Sequence, residues 1–186
     1  ITLTNTNDEI RLLGNAQLIQ THTGTSKVTG NGRLLVDQNS TVPSLYRYNY
    51  MSSPVNNIAT FTYTIENVLK DGTTLVDATS GTKDITFITG YDGATTDPIS
   101  LADYWVYTYS PGSNGGSNWE HKYKNGALDR GDGFTFKGPG RAQNYTFSGT
   151  PNDGTFNTIE SVGANESYLI GNPFPSAMSV KNFIED

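Results

Sequence analysis

Apolar and polar residues alternate with a period of two in run after run of this chain. "TFTYTI" sets Phe61, Tyr63 and Ile65 against Thr62 and Thr64. "LYRYNYM" sets Tyr46, Tyr48 and Tyr50 against Leu45, Arg47, Asn49 and Met51, and "NWEHKYK" sets Trp119, His121 and Tyr123 against Glu120, Lys122 and Lys124. "DITFITG", "ADYWVYTYS", "GFTFKG", "NYTFSG" and "ESYLIG" continue the pattern. Successive side chains of a strand point to opposite faces, so a period of two is what a half-buried strand writes into a sequence. Gly, Asn, Asp and Pro separate the runs, and helical spacing is nearly absent before residue 176. The fold expected is all-β, a β-sandwich of jelly-roll-like kind. Phe61, Tyr63 and Ile65 are expected to point inward. Long polar loops are expected between Glu66 and Thr82 and between Gly90 and Pro98, and loops at one end of a sandwich often carry binding.

Residues 1 to 42 have a shorter rhythm. Ile1 and Leu3, Ile10 and Leu12, Ala16 and Leu18, then Leu34 and Val36 form brief alternating pairs between glycine-rich breaks. Two readings stay open: the last rungs of a parallel β-solenoid, or two hairpins at the edge of the sandwich. The chain therefore divides into a short-strand region, 1–42, and a sandwich domain, 43–186. Near the end, Asn165 to Gly171 reads as a strand. Asn172-Pro173 and Phe174-Pro175 form a corner, since proline excludes the preceding residue from helical geometry. Ser176 is expected to cap a short helix from Ala177 that carries Met178, Val180, Phe183 and Ile184. An apolar helix opening so late creates the expectation that the 43–186 domain is truncated, with Phe183 and Ile184 exposed or packed on a partner.

With no cysteine, the chain can use neither a disulfide nor thiolate chemistry nor a Cys-ligated metal. Its net charge is -6 and it has no basic run, which argues against nucleic acid or an anionic membrane as partner. No run of about 18 apolar residues is present to span a bilayer. Charged residues make up 16%, against roughly 25% in ordinary soluble domains, and Thr, Asn, Ser, Gly and Tyr take their place. That balance is common in extracellular β proteins, and the expected location is extracellular or the cell surface.

Candidate binding residues are Trp105, Tyr107, Tyr109, Trp119 and Tyr123. Flat rings stack on the CH faces of sugars, and phenol hydroxyls add hydrogen bonds. The same rings on strands could instead fill the core between two sheets. Under that second reading Trp105→Ala or Trp119→Ala would cost about 3–5 kcal/mol of stability. Asp92, Asp97, Asp103, Asp129 and Asp132 sit in or beside loops, and Ca2+ takes clustered carboxylate and carbonyl oxygens. "YDGATTDP" and "DRGDG" also read simply as Asp-Gly turns, so no cofactor is expected and calcium is the one ion the carboxylates would suit. Arg130-Gly131-Asp132 spells an adhesion tripeptide, but its setting favours a hairpin turn into a strand. No Ser-His-Asp pattern, HExxH or P-loop is present. A carboxylate pair for glycoside hydrolysis is set in space rather than in sequence, and nothing marks one out.

Four stretches in order, "YRYNYMSSPV", "GDGFTFKGPG", "FSGTPNDGTF" and "SYLIGNPFPSAMSVKNFI", resemble the marks of a domain found in very large secreted proteins of the Bacteroidetes, especially flavobacteria. There the pattern reads approximately Tyr-x-Tyr-Trp-Ser-Ser-Pro-Val, Gly-x-Gly-Tyr/Phe, Phe-x-Gly-x-Pro-Asn-x-Gly and Leu-x-Gly-Asn-Pro-Tyr-Pro-Ser-Ala. In this chain Met51 stands for the usual Trp and Phe174 for the usual Tyr, and the resemblance runs from about Leu12 to the end. It implies an adhesin-like chain exported by the type IX secretion system. It also implies a solenoid-like region before the domain, and further strands and a sorting domain after it. The function expected is a non-enzymatic module for adhesion or surface assembly, whose partner is an extracellular glycan or a surface protein. The alternative is a carbohydrate-binding module of a polysaccharide-degrading enzyme. A glycoside hydrolase or lyase comes third.

Overall fold

The computed structural model describes residues 1–57, 61–72, 81–112, 116–158 and 160–185. The loop expected between Glu66 and Thr82 is corrected in its first part, where residues 66–71 form a helical turn and a strand, and residues 73–80 lie outside that set. Strands follow in chain order as β1 (Thr2–Leu3), β2 (Glu9–Leu12), β3 (Thr29–Gly30), β4 (Arg33–Ser40), β5 (Tyr48–Ser52), β6 (Val55–Asn56) and β7 (Thr62–Tyr63). A single helical turn, α1 (Ile65–Val68), leads into β8 (Leu69–Asp71), β9 (Lys83–Asp84), β10 (Thr86–Ile88) and β11 (Ser100–Ala102). After a 3-10 turn at Asp103–Trp105 come β12 (Tyr107–Pro111), β13 (Ser117–His121), β14 (Leu128–Asp129), β15 (Gly133–Lys137), β16 (Gln143–Pro151) and α2 (Val180–Glu185). The fold is all-β.

Two sheets carry the architecture. One has four strands in the order β13-β12-β15-β5, all antiparallel. The other has six, in the order β2-β4-β16-β8-β9, with β6 also paired to β16. The two meet through aromatic rings. Phe134 of β15 lies 6.4 Å from Phe147 of β16, and Phe136 lies 5.1 Å from Tyr145. Leu34, Val55, Tyr63, Ile65, Leu69, Val106 and Leu128 are among the residues that join these rings in one continuous buried cluster. Each such side chain taken out of water contributes about 1.5–3 kcal/mol before the entropy of ordering is subtracted.

The amino-terminal stretch pairs in parallel. Thr2 is opposite Thr29 on β1 and β3, and Glu9 is opposite Arg33 on β2 and β4. A hairpin would be antiparallel, so the two-hairpin reading is corrected. β4 also pairs antiparallel with β16 over seven residues, from Gln143↔Ser40 to Gly149↔Leu34, so one sheet runs across residue 42.

Three local expectations are corrected. Phe61 does not point inward: it is exposed, with φ +56°, and carries the Arg130 guanidinium 4.3 Å above its ring. "ESYLIG" is not a strand; only Ile170 forms a bridge, to Asp132. Ser176 does not cap the helix. Its carbonyl accepts from Asn172 Nδ2 (2.6 Å), Pro175 O accepts from Leu18 N, and the Ala177 amide donates to Gln17 Oε1. With those groups engaged, α2 starts three residues later than Ala177, and Ser179 Oγ accepts from Asn182 N as its cap. Phe183 and Ile184 are exposed on α2.

Burial pushes the phenols of Tyr63 and Tyr145 above their ordinary value near 10. A folded-state value raised above the unfolded one favours the protonated form. That stabilisation is complete below about pH 10 and is lost as pH rises through the folded-state values. Urea midpoints should therefore hold steady to about pH 9.5 and fall steeply above it. A flat midpoint to pH 12, alongside tyrosinate absorbance growing in the folded protein, would contradict the burial of these phenols.

Candidate ligand-binding face

The four-stranded sheet has an inner face against the core and an outer face open to water. Cross-strand register decides which residues share the outer face. Tyr50 of β5 is opposite Thr135 of β15, Thr135 is opposite Tyr107 of β12, and Tyr107 is opposite His121 of β13. That row crosses four strands, about 14 Å at the usual strand spacing. Beside it, Tyr109 is opposite Trp119, and Tyr48 is opposite Lys137. The residues between them in sequence turn inward: Asn49 and Met51 on β5, Phe134 and Phe136 on β15, and Thr108 and Ser110 on β12.

The rings touch one another across the face. His121 is stacked between Tyr107, at 4.4 Å and 9°, and Tyr123, at 3.6 Å and 24°. Trp119 meets Tyr109 at 4.9 Å. Trp105 meets Tyr104 edge-on at 4.8 Å, Tyr48 at 5.9 Å and Tyr91 at 5.9 Å. The 3-10 turn is what brings Tyr104 and Trp105 to the same side. It breaks the period-two pattern, and Thr135 Oγ1 donates to Trp105 O to hold the turn over β15 (3.1 Å). Trp105 Nε1 donates to Tyr91 O (2.6 Å), which adds Tyr91 to the group.

Much of this surface is open to water. Tyr50 is 61% exposed, Tyr91 62% and Trp119 53%. The Tyr107 phenol is pushed up to about 12, first by burial among its neighbours and then by its hydrogen bond with Tyr104. Tyr48 is raised for the same leading reason. The Tyr48 and Tyr107 phenols are therefore neutral at any physiological pH, able both to donate and to accept.

All five candidate binding residues, Trp105, Tyr107, Tyr109, Trp119 and Tyr123, lie in this one aromatic group, so the core-filling reading of these rings is corrected. Trp105 sits on the 3-10 turn rather than on a strand, and Tyr123 lies just past β13 with φ +52°. Sequence reasoning missed Tyr91, Tyr104, His121 and Lys137, and did not connect Tyr48 and Tyr50 to the other rings. The alternation in "YRYNY" was the available signal for the last two.

The outer face of the six-stranded sheet is built differently. Arg11 forms a two-nitrogen ion pair with Asp37, at 3.0 to 3.2 Å. Asp37 also accepts from Thr146 Oγ1, and Asn144 Nδ2 donates to Asn39 Oδ1. Those polar groups satisfy each other within the sheet.

The aspartates divide. Asp97 pairs with Lys83 at 2.5 Å, and Asp92 lies exposed beside Tyr91. Asp129 and Asp132 share a turn in which the Asp129 amide donates to Asp132 Oδ2 (2.8 Å) and Asp132 N donates to Asp129 O. Tyr168 OH donates to Asp132 Oδ1, and burial raises the Asp132 carboxyl overall despite that bond. Among the described residues, no three acidic, His or Cys side chains are grouped to hold a metal ion. The Arg130-Gly131-Asp132 tripeptide is a turn into β15, but β14 before it pairs with β7, so the turn does not close a hairpin. Asp132 is buried, and Arg130 is held between the rings of Phe61 and Phe156.

The four stretches that carry the family resemblance meet in space. Buried Asn152 donates to Ser53 O (3.1 Å) and Pro173 O (2.8 Å) and accepts from Asn56 Nδ2. Gly133 N donates to Leu169 O, and Gly171 packs so closely on Ser52 that a Cβ there would lie 2.3 Å from the Ser52 Cβ. Asp153 accepts from Lys27 N (2.7 Å) and contacts His22 (3.1 Å), joining the amino-terminal stretch to the same place. These residues have an architectural role here. No protein-family model, curated protein or solved structure matches the chain.

Proposed function

We propose that this protein is a non-enzymatic module of a secreted or cell-surface bacterial protein, and that it adheres to glycans through the outer face of its four-stranded sheet. The observation that carries the reading is the set of touching, water-exposed rings on a sheet face whose partner sheet has its own outer face locked in ion pairs and hydrogen bonds. Exposed aromatic surface of this extent is costly unless something covers it. Rings with fixed orientation and phenol hydroxyls suit a sugar chain, which offers alternating CH faces and hydroxyl groups. The row length suits an oligosaccharide rather than a single sugar. The low charge content and the four-motif resemblance support an extracellular setting, with export by the type IX route. The adhesin and carbohydrate-module expectations then call for the same binding face and differ only in the parent chain.

The test is affinity gel electrophoresis on a panel of soluble polysaccharides, with wild type, Trp119→Ala and Tyr109→Ala. Retardation by at least one polymer is expected, and each variant should weaken it at least about tenfold, the size of losing a stacked ring. A protein that passes every polymer unretarded would sink the reading.

A further inference from the structure

We propose that this face selects anionic polysaccharides, chains bearing uronate carboxylates or sulfate esters, and that Lys137 reads the negative charge. The inference rests on the glycan reading above. Lys137 is the last residue of β15 and lies opposite Tyr48, on the outer side. Its ammonium sits 3.3 Å from the centre of the Trp105 ring and 5.0 Å from that of Tyr48. The cation is therefore inside the ring group.

Several other basic side chains are matched by carboxylates. Arg11 pairs with Asp37, Lys70 with Asp84, Lys83 with Asp97, Lys122 with Glu120 and Lys124 with Glu66. Lys27, Arg47, Arg130 and Arg141 are not so matched, but among the described residues Lys137 is the cation that lies over rings of this face, Arg130 lying over Phe61 and Phe156 instead. Among the described residues, no carboxylate lies within pairing distance of Lys137. Ring faces attract the cation but do not neutralise it, and they can occupy only some of its three N–H donors. The remaining donors are held at a defined position on the platform. An oxyanion placed there gains a charge-assisted hydrogen bond, stronger beside desolvating rings than in open water. The phenols of Tyr48 and Tyr107 remain protonated at neutral pH and so add no negative charge of their own.

The chain as a whole carries a net charge of -6, so its overall field repels polyanions. Recognition of an anionic chain must therefore be local, and a single substitution should remove it.

The experiment uses polygalacturonate, alginate and chondroitin sulfate against dextran, laminarin and fully methyl-esterified pectin, by affinity electrophoresis and calorimetry. Wild type should bind at least one anionic polymer and bind its neutral counterparts at least about tenfold more weakly, the effect of losing one charge-assisted contact. Lys137→Met keeps a flexible apolar stem over the rings and should lose that preference with an unchanged melting temperature. Lys137→Arg should restore it. Binding of neutral polymers as tight as of anionic ones, unaffected by Lys137→Met, would overturn the charge selectivity and leave the glycan platform standing. Absence of binding to every polymer, neutral and anionic, would overturn both.

Discussion

Replacing Asn152 by alanine is expected to destabilise the protein by about 3–5 kcal/mol, because one side chain joins three separate segments at a fully buried point. Its amide donates to Ser53 O and Pro173 O, and its oxygen accepts from Asn56. Truncation strands two carbonyls and one amide away from water, at about 1–3 kcal/mol for each group that finds no substitute. The backbone helps only in part. Asn152 N donates to Pro54 O, and that bond survives the substitution. Asn152→Asp should also be damaging, because a carboxylate cannot donate to the two carbonyls. Urea unfolding of the two variants measures the effect. A loss below 1 kcal/mol in both would show that the junction is held by its backbone contacts alone.

Phe134→Ala is expected to cost about 3–5 kcal/mol, whereas Trp119→Ala should cost under about 1 kcal/mol. The contrast reverses what a tryptophan-in-the-core reading requires. Phe134 is wholly buried, and its ring meets those of Tyr63, Phe136 and Phe147. Its removal leaves a cavity at the contact between the sheets. Trp119 lies on an edge strand with about half its surface in water, so little burial is lost. Equal unfolding free energies for the two variants would place the rings on the wrong sides of the sheet.

Strand identity was legible because alternation is a local property. "GFTFK" and "QNYTFSGTP" became β15 and β16, and the Tyr48–Tyr50 face was visible from spacing alone. Which side of a strand faces the core was not legible, because that depends on its neighbours. On β12 the larger side chains, Tyr107 and Tyr109, turn outward, while Thr108 and Ser110 are buried. Rings from β15 and β16 already occupy the space between the sheets, leaving room there only for small side chains. The hydrophobic period therefore points the wrong way at the very strand that carries the platform. The carboxy-terminal corner shows a second limit. Ser176 is a sound helix cap by composition, but its neighbours are engaged by Gln17 and Leu18, far away in sequence. Tyr104 shows a third: period two sets it opposite Trp105, and the 3-10 turn puts both on one side.

The placement of the indoles also determines what light reports about this molecule. Both tryptophans of the chain, Trp105 and Trp119, belong to the outer aromatic group, and neither belongs to the buried cluster. Excited selectively near 295 nm, their emission samples the sheet's exterior. Melting of the interior, whose rings are those of Phe134, Phe136, Phe147, Tyr63 and Tyr145, would be seen best by circular dichroism. A sugar chain laid across the face, by contrast, would displace water from the indoles directly and shift their emission towards the blue. The intrinsic fluorophores thus act as a built-in binding probe and a poor thermometer, and the two signals should part company in any experiment that heats the protein with its ligand present.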